Sequence, residues 1–289
     1  MHRIIHVDVF APRTGTGNPL AVVLDAAGLD DARMQAVAHW LNLAETTFVL
    51  PATQPEADYR VRIFTTQKEI AFAGHPSLGT AHALVDAGLR PKRAGVLVQE
   101  CQAGLLPIRL RPELADNAYS VRVPSSKLVR FAEPGDALFK AVLPAAHWTA
   151  LKPALVEGGR RWWLAELRDE AAVRGFVPDS YAIAALARET GSLGLCLFAR
   201  RAAPHAGLVV RAFPLGVGIP EDPASGAANA AIAAFLHETG NLHGLGRRYA
   251  VSQGREIGRD AVLSLEIDAA GEVWVGGDCR TVIRGELDW

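Results

Sequence analysis

The sequence predicts an α+β protein of two pseudo-symmetric domains, each a mostly antiparallel sheet or barrel wrapped around a central helix. Strand and helix patterns do not alternate regularly along the 289 residues, which argues against a doubly wound sheet. Two strand–loop–helix segments, beginning near residues 75 and 222, resemble each other. Both helical stretches are apolar or small on all faces, as is typical of a buried helix. We therefore expect one such helix inside each domain.

The first part of the chain reads as short strands with one amphipathic helix near the start. The strand candidates are residues 7–10, 20–24, 46–50, 61–64, 96–100, 106–110 and 121–123. The helix begins after Asp30 or Asp31, which are typical N-cap residues, and continues to about Asn42. Its apolar residues form a single stripe, as expected for a helix packed on a sheet. Glu45 therefore lies at a junction between a helix and a strand.

The remainder of the chain begins with a polar, proline-bearing stretch at residues 124–134, which predicts a crossing between domains. The strand candidates after it are residues 161–167, 194–200, 208–213, 251–254, 262–267 and 273–275, with a helix at 180–188. The predicted domains are therefore residues 1–123 and 124–289. A return of residues 279–289 to the first domain is left open.

The internal repeat carries most of the information about a functional site. Residues 75–84 align without a gap on residues 222–231. The identical pairs are Pro76 and Pro223, Gly79 and Gly226, Ala81 and Ala228, and Ala83 and Ala230. Four matches among Ala, Gly and Pro can arise by chance, but the shared strand–loop–helix context favours two equivalent helices.

Both repeats predict the same type of helix start. His75 and Asp222 stand where an N-cap would be, and proline follows at the expected first helical position. If two such buried starts face one another across a cleft between the domains, their unpaired N–H groups form a site for a carboxylate or another anion. Taken singly, each motif is more often only a well-capped helix, and only the duplication favours a site.

Composition excludes several functional classes. Thirty Lys and Arg against 31 Asp and Glu give a net charge of -1, without the basic face that nucleic-acid binding needs. Cys101, Cys196 and Cys279 are far apart and have no metal-type spacing, so we expect free thiols and no metal site. The start of the chain has no signal-type apolar block, and no apolar run approaches the length of a membrane span. We therefore expect a cytoplasmic protein without membrane or nucleic-acid partners.

Five segments together resemble the phenazine-biosynthesis (PhzF-like) family. They are residues 43–49 around Glu45, 72–82 around His75, 218–226 around Asp222, Gly17-Asn18-Pro19, and residues 253–259. They span essentially the whole chain in the expected order. The resemblance implies the fold of diaminopimelate epimerase, with two pseudo-symmetric domains and an active site between them.

The same resemblance implies a cofactor-independent isomerase that acts on a small carboxylate-bearing substrate and forms a homodimer. By that likeness Glu45 removes a proton from one carbon and returns it to another, while His75 and Asp222 bind and assist. Burial that raises the pKa of Glu45 would suit this role, whereas Glu45 taken alone reads as a surface residue. The substrate-binding positions implied are Asn18, Gly74, Ser77, Ser225, Gly226 and Ala227.

One departure and two alternatives remain at this point. The family commonly has Thr-Gly-Ser where this chain has Ser225-Gly226-Ala227, so a hydroxyl group is missing at Ala227. This departure puts the phenazine precursor as substrate in doubt more than the proton transfer. The first alternative, a two-base racemase or epimerase on the same fold, would carry one cysteine near each helix start, and Ala73 and Ala224 stand there instead. The second alternative is a non-catalytic binding protein that has kept the cleft.

Overall fold

The computed structural model describes residues 1–112, 118–202 and 207–289, which form two compact units. The first unit contains Met1–Arg122 and Gly276–Trp289, and the second contains Val123–Val275. Both units combine a sheet with helices, which confirms the predicted α+β class. Within the described residues, no helix is both long enough and apolar enough to span a bilayer.

The first unit is a closed barrel with a helix among its strands. Its strands are β1 (His2–Val9), β2 (Asn18–Val23), β3 (Thr46–Leu50), β4 (Tyr59–Phe64), β5 (Glu69–Ile70), β6 (Val96–Cys101), β7 (Gly104–Leu110) and β8 (Ala118–Arg122), and its helices are α1 (Asp31–Leu41) and α2 (Gly74–Asp86). The long last strand of the chain, β16 (Val273–Leu287), enters this unit at Gly276. Eight strands follow one another in the order β1-β2-β3-β4-β6-β7-β8-β16, and β16 also pairs with β1. The barrel is thereby closed, while β5 pairs only with β4.

The second unit has seven strands of its own and four α-helices among the described residues. The strands are β9 (Lys127–Phe131), β10 (Ala154–Glu157), β11 (Arg161–Glu166), β12 (Leu195–Arg201), β13 (Gly207–Phe213), β14 (Arg248–Gln253) and β15 (Ala261–Ile267). The helices are α3 (Ala137–Val142), α4 (Glu170–Arg174), α5 (Ser180–Thr190) and α6 (Gly226–Glu238). The strands are paired in sequence order from β9 to β15, and the first residues of β16 extend the sheet beside β15.

The two units repeat one topology. In the first, β2 and β3 are parallel, β3 and β4 antiparallel, β4 and β6 parallel, and β6 and β7 antiparallel. In the second, β11 to β15 repeat that alternation pair by pair. Helix α2 connects the parallel pair β4 and β6, and α6 connects the parallel pair β13 and β14. The duplication inferred from the sequence is thus present in the order and direction of the strands.

Helix α2 is enclosed by its barrel. Its first ten residues, from Gly74 to Ala83, are all buried, and it packs against β1, β2, β3, β7 and β8. Gly79 allows the close approach, because a Cβ atom there would lie 2.6 Å from Leu20 Cδ2 and 2.8 Å from Val9 Cγ2. Four of the nine buried residues of helix α6 are alanine, and the helix packs against β9, β10, β11 and β15. Small side chains therefore let each sheet close around its helix.

The other helices cover apolar clusters of their own unit. Met34 and Val37 of α1 lie in one cluster with Phe48 of β3, so this helix uses the predicted apolar stripe. In the second unit Leu186 of α5 packs in a cluster with Trp163 of β11. Asp30 caps α1 by accepting a hydrogen bond from the backbone N–H of Arg33, as its residue type predicts.

Four elements of the second unit were not predicted from the sequence: β9, β10, α3 and α4. The stretch 124–134, predicted as a polar crossing, contains strand β9, whose residues are mostly exposed and which pairs with β10. Neither strand alternates between apolar and polar residues: β9 reads Lys-Leu-Val-Arg-Phe, and β10 reads Ala-Leu-Val-Glu. Helices α3 and α4 have six and five residues, which is too short for a readable apolar period.

Two adjacent threonines of β3 test the value of buried hydroxyl groups in the barrel. Both are fully buried, but Thr46 Oγ1 has no hydrogen-bond partner, whereas Thr47 Oγ1 lies 2.9 Å from Thr80 Oγ1 of α2. Valine has nearly the same shape and removes the hydroxyl group. We expect Thr46→Val to keep or raise the free energy of unfolding, and Thr47→Val to lower it by about 1–2 kcal/mol.

Urea or thermal unfolding of the two variants beside the wild type measures the difference. The two substitutions are chemically identical and one residue apart, so each is the control for the other. Equal losses of stability in both variants would contradict the assignment of Thr46 as an unpaired group.

Candidate functional site

Glu45 lies at the turn from α1 into β3. Helix α1 ends at Leu41, and its C-cap Asn42 has a left-handed backbone with φ of 52°, which stops the helix and redirects the chain. Glu45 then directly precedes Thr46, whose strand is held between β2 and β4. Only 18% of the Glu45 side chain is exposed. The surface position suggested by its residue type alone is therefore wrong.

His75 lies beside Glu45 within the first unit. It is in the first turn of α2, its side chain is 8% exposed, and its Nε2 atom lies 3.4 Å from Oε2 of Glu45. The Nε2 atom makes no hydrogen bond. Burial lowers the pKa of His75 to about 3, because an imidazolium ion loses its hydration there. The contact thus joins a carboxyl group to a neutral imidazole and is not an ion pair at neutral pH.

Asp222 lies in the second unit, in the loop between β13 and α6. Its backbone N–H donates to the carbonyl oxygen of Ala212 on β13, and its Oδ1 atom accepts from the N–H of Ala224 at 3.1 Å. Burial raises the pKa of Asp222 to about 6, and the neighbouring charge of Glu221 adds to this, while hydrogen bonds from Ala224 and the Ser225 hydroxyl oppose it. The carboxyl group therefore exists in both protonation states near neutral pH, as proton transfer requires.

The predicted N-caps are wrong in both units. Helix α2 begins at Gly74 after the N-cap Ala73, so His75 and Pro76 lie inside the first turn. Helix α6 begins at Gly226, and Ser225 caps it by accepting from the N–H of Ala228. Asp222 lies before this N-cap, and its carboxyl group accepts from the backbone N–H of Ala224, which also precedes the first turn of α6. Such a local hydrogen bond is a common alternative use of an aspartate carboxyl group.

The corrected helix starts also shift the register of the repeat. With Gly74 matched to Gly226, His75 pairs with Ala227, five residues beyond the partner given by the sequence alignment. Ser77 then pairs with Asn229, and the contacts of these two residues are equivalent. The hydroxyl of Ser77 accepts from Gln99 Nε2 of β6 at 3.0 Å, and Asn229 Nδ2 donates to Oε1 of Gln253, on β14, at 2.8 Å. In each unit a buried glutamine of the strand after the helix binds the first turn of that helix.

Five of the six predicted binding residues lie at the start of a helix, two of them at α2 and three at α6. Gly74 and Ser77 share the buried first turn of α2 with His75, and Ser225 and Gly226 begin α6 directly after the Asp222 loop. The Ser77 hydroxyl is already used within the barrel, since it also donates to the carbonyl oxygen of Ala73. Of the α6 positions, Ala227 is the exposed one.

Asn18 begins β2 as a buried residue, and the turn before it depends on Asp8. The Asp8 carboxyl group accepts from the backbone N–H groups of Gly15 and Gly17 at 2.7 and 3.1 Å. A Cβ atom at Gly17 would lie 2.2 Å from the carbonyl oxygen of Val9, so only glycine fits there. Sequence reasoning named the Gly17-Asn18 motif but missed Asp8, although an acidic residue near the end of a strand, seven residues before Gly15, was visible as a signal.

Sequence reasoning also missed the setting of Cys196. This fully buried thiol of β12 is electrostatically coupled to Asp222, and burial together with that charge raises its pKa well above the usual range. Such a thiol stays protonated at neutral pH and therefore cannot act as a base there. All three cysteines are free, and no group of three or more metal-binding side chains occurs in the described parts of the chain.

Comparison with known proteins bears on both fold and chemistry. The sequence model of a family described as "Phenazine biosynthesis-like protein" matches residues 7–285, which confirms the resemblance stated above. The chain is 33% identical over 273 residues to the trans-2,3-dihydro-3-hydroxyanthranilate isomerase of Pseudomonas aeruginosa, covering 94% of this chain and 92% of the relative.

Solved structures agree with this assignment. A protein of P. aeruginosa described as a "predicted epimerase" superimposes with a TM-score of 0.80 at 29% identity over 99% of both chains. A PhzF-family protein of Bacillus anthracis gives a TM-score of 0.84 at 23% identity, with 100% and 99% coverage. A probable proline racemase of Agrobacterium radiobacter shares the fold, with a TM-score of 0.69 at 14% identity over 100% and 93% of the chains. The predicted epimerase-like fold is thus confirmed.

The raised pKa of Asp222 predicts a dependence of stability on pH. From about pH 4 to 6 the folded protein binds more protons at this group than the unfolded chain does, so the ionised carboxyl group costs stability above pH 6. We expect Asp222→Asn to raise the free energy of unfolding by roughly 2 kcal/mol at pH 8, and by clearly less at pH 4.5. Thermal unfolding at the two pH values measures this.

Asp25 provides the control of opposite sign. Its hydrogen bond with Arg3 lowers its pKa, so Asp25→Asn should cause a small loss of stability at pH 8. A loss of stability in Asp222→Asn at pH 8 would contradict the raised pKa.

Proposed function

Because this chain belongs to the phenazine biosynthesis-like family and is an isomerase, we propose that it moves a proton between two carbons of a small carboxylate-bearing substrate, without a metal or organic cofactor. The observation that carries the proposal is the mostly buried carboxyl group of Glu45, 3.4 Å from the neutral imidazole of His75. A buried carboxyl group beside a neutral proton donor and acceptor is suited to acid–base work on carbon.

In the proposed mechanism Glu45 removes a proton from a carbon next to a double bond. The electron pair of the broken C–H bond forms a new double bond, and the old double bond shifts its electrons to the far carbon. The Glu45 carboxylic acid then returns the proton to that far carbon, so the reaction is redox-neutral and leaves the enzyme unchanged. His75 and Asp222 assist by holding polar groups of the substrate and by exchanging protons with them.

Helix α2 supports the binding of a carboxylate group. Its N-cap is Ala73, which has no side-chain hydrogen bond to the first turn, whereas Ser225 caps α6. The first turn of α2, which contains His75, thus has no side-chain cap. An anion is favoured there because this is the positive end of the helix. This arrangement favours Gly74 and its neighbours as carboxylate-binding positions, with Asn18, Ser77, Ser225, Gly226 and Ala227 as the further proposed binding positions.

The test substrate is trans-2,3-dihydro-3-hydroxyanthranilate, on which the P. aeruginosa relative acts according to its name. In D2O the wild type should isomerise it with incorporation of deuterium, followed by proton NMR. Glu45→Gln should lower the rate by about 1,000-fold, because general acid–base catalysis contributes on that order. Glu56→Gln removes an exposed carboxyl group of the same unit and should leave the rate unchanged.

Two alternatives make different predictions in the same experiment. A binding protein without catalysis would bind the compound tightly but exchange no deuterium. A two-base racemase would exchange deuterium at one centre and invert it, and it would depend on a thiolate; the raised pKa of Cys196 argues against that thiolate. If neither this compound nor a panel of unsaturated small carboxylates shows Glu45-dependent exchange, the proposed function is wrong.

Ala227 provides a test of substrate preference. Restoring the family's usual hydroxyl group by Ala227→Ser should raise kcat/KM for the phenazine precursor by about tenfold, the worth of one good hydrogen bond. The residue is exposed at the start of α6, so the change should not affect folding. An unchanged kcat/KM would mean that Ala227 does not set the preference.

The proposal includes a homodimer in the cytoplasm. The homodimer rests on the family resemblance, and the cytoplasmic location is supported by three free cysteines, which suit a reducing compartment. Light scattering on the purified chain tests the assembly, and a monomer at micromolar concentration would contradict it.

A further inference from the structure

Gln253 is a buried polar residue whose side-chain amide makes three hydrogen bonds in and next to the Asp222 loop. It ends β14 and is fully buried. Its Nε2 atom donates to the backbone carbonyl oxygen of Asp222 at 2.8 Å. Its Oε1 atom accepts from the backbone N–H of Ser225 at 3.3 Å and from Asn229 Nδ2 at 2.8 Å. One amide thus joins the loop, the N-cap of α6 and the first turn of α6.

The residue after it strengthens the same connection. Gly254 has a φ of 91°, and a Cβ atom there would lie 2.5 Å from the carbonyl oxygen of Pro223. The end of β14 therefore lies directly against the Asp222–Pro223 backbone. On its other side, the loop is held by the hydrogen bond from the Asp222 N–H to Ala212 and by the ion pair of Glu221 with the buried Arg211.

We propose that Gln253 is a positioning residue for Asp222, acting through the main chain and not through contact with substrate. The amide fixes the Asp222 carbonyl oxygen and the α6 N-cap relative to one another. The Asp222 carboxyl group is held beside that N-cap, since it accepts from the N–H of Ala224 and from the Ser225 hydroxyl. The catalytic role of Asp222 rests on the proposed function, but its positioning by Gln253 does not.

The matching glutamine of the first unit distinguishes positioning from simple stability. Gln99 is also fully buried, and it holds Ser77 Oγ and the Tyr59 hydroxyl at 3.0 and 3.1 Å. These two bonds join Gln99 to side chains, whereas Gln253 binds the backbone of Asp222 and Ser225. Replacing either glutamine by methionine removes a buried amide of similar volume, so both variants should lose stability.

Only one of the two variants should alter the titration of Asp222. The experiment uses the full-length chain with ¹³C-labelled aspartate carboxyl carbons, and the Asp222 resonance is identified by its absence in Asp222→Asn. Burial is the main cause of the raised pKa of Asp222, so a loosened loop should admit water and lower that pKa by about one unit in Gln253→Met. Gln99→Met should leave it at the wild-type value.

The proposal is overturned if the pKa of Asp222 is unchanged in a folded Gln253→Met, or if Gln99→Met shifts it equally. A measurement on the wild-type protein also tests the proposal, and it does not depend on whether the variant folds. The side-chain amide resonances of Gln253 should exchange slowly with water and shift with the same midpoint as the Asp222 carboxyl group. Rapid exchange, or no shift, would overturn the proposal. Neither titration uses a substrate, so failure of the proposed isomerase activity would not affect the result.

Discussion

A polar side chain in the first turn of a helix that its own sheet encloses is usually hydrogen-bonded within that sheet. In both units the partner is a buried glutamine on the strand after the helix: Gln99 binds Ser77 of α2, and Gln253 binds Asn229 of α6. Small residues along each helix allow the strands to come close enough for these contacts. The polar residues at the helix starts are therefore held by the same arrangement that closes the core.

Burial affects the titratable groups at the two helix starts in a common direction, towards the uncharged form. It lowers the pKa of His75 to about 3, so the imidazole is uncharged at neutral pH, and it raises the pKa of Asp222 to about 6, so a fraction of this carboxyl group keeps its proton there. Charged groups at these positions would need hydration or close counterions, which enclosed helix starts do not offer. The shifted pKa values of both side chains are thus a consequence of the fold.

The sequence was sufficient for the fold class, α1 and most strands, but the two strands that close the first barrel were predicted only in part: β1 (His2–Val9) as residues 7–10 and β16 (Val273–Leu287) as residues 273–275. Glu45 and His75 became candidate site residues only through the family resemblance, because nothing local indicates that Glu45 is mostly buried. The ungapped repeat gave the wrong register: the Asp222 side chain bonds to Ala224, so the helix starts at Gly226. Side-chain choices among local hydrogen bonds are not visible in a pattern of residue types.

The last strand connects the two units in a way that bears on biosynthesis. Strand β16 contributes its first residues to the second unit, and its later residues close the barrel of the first by pairing with β1. On the ribosome, the whole second unit is therefore made before the first barrel can acquire its closing strand. Until then β1 has an open edge, and α2 is enclosed on fewer sides. The first half of the molecule to be synthesised is thus the last to be completed, and during translation it is the half exposed to chaperones and to aggregation.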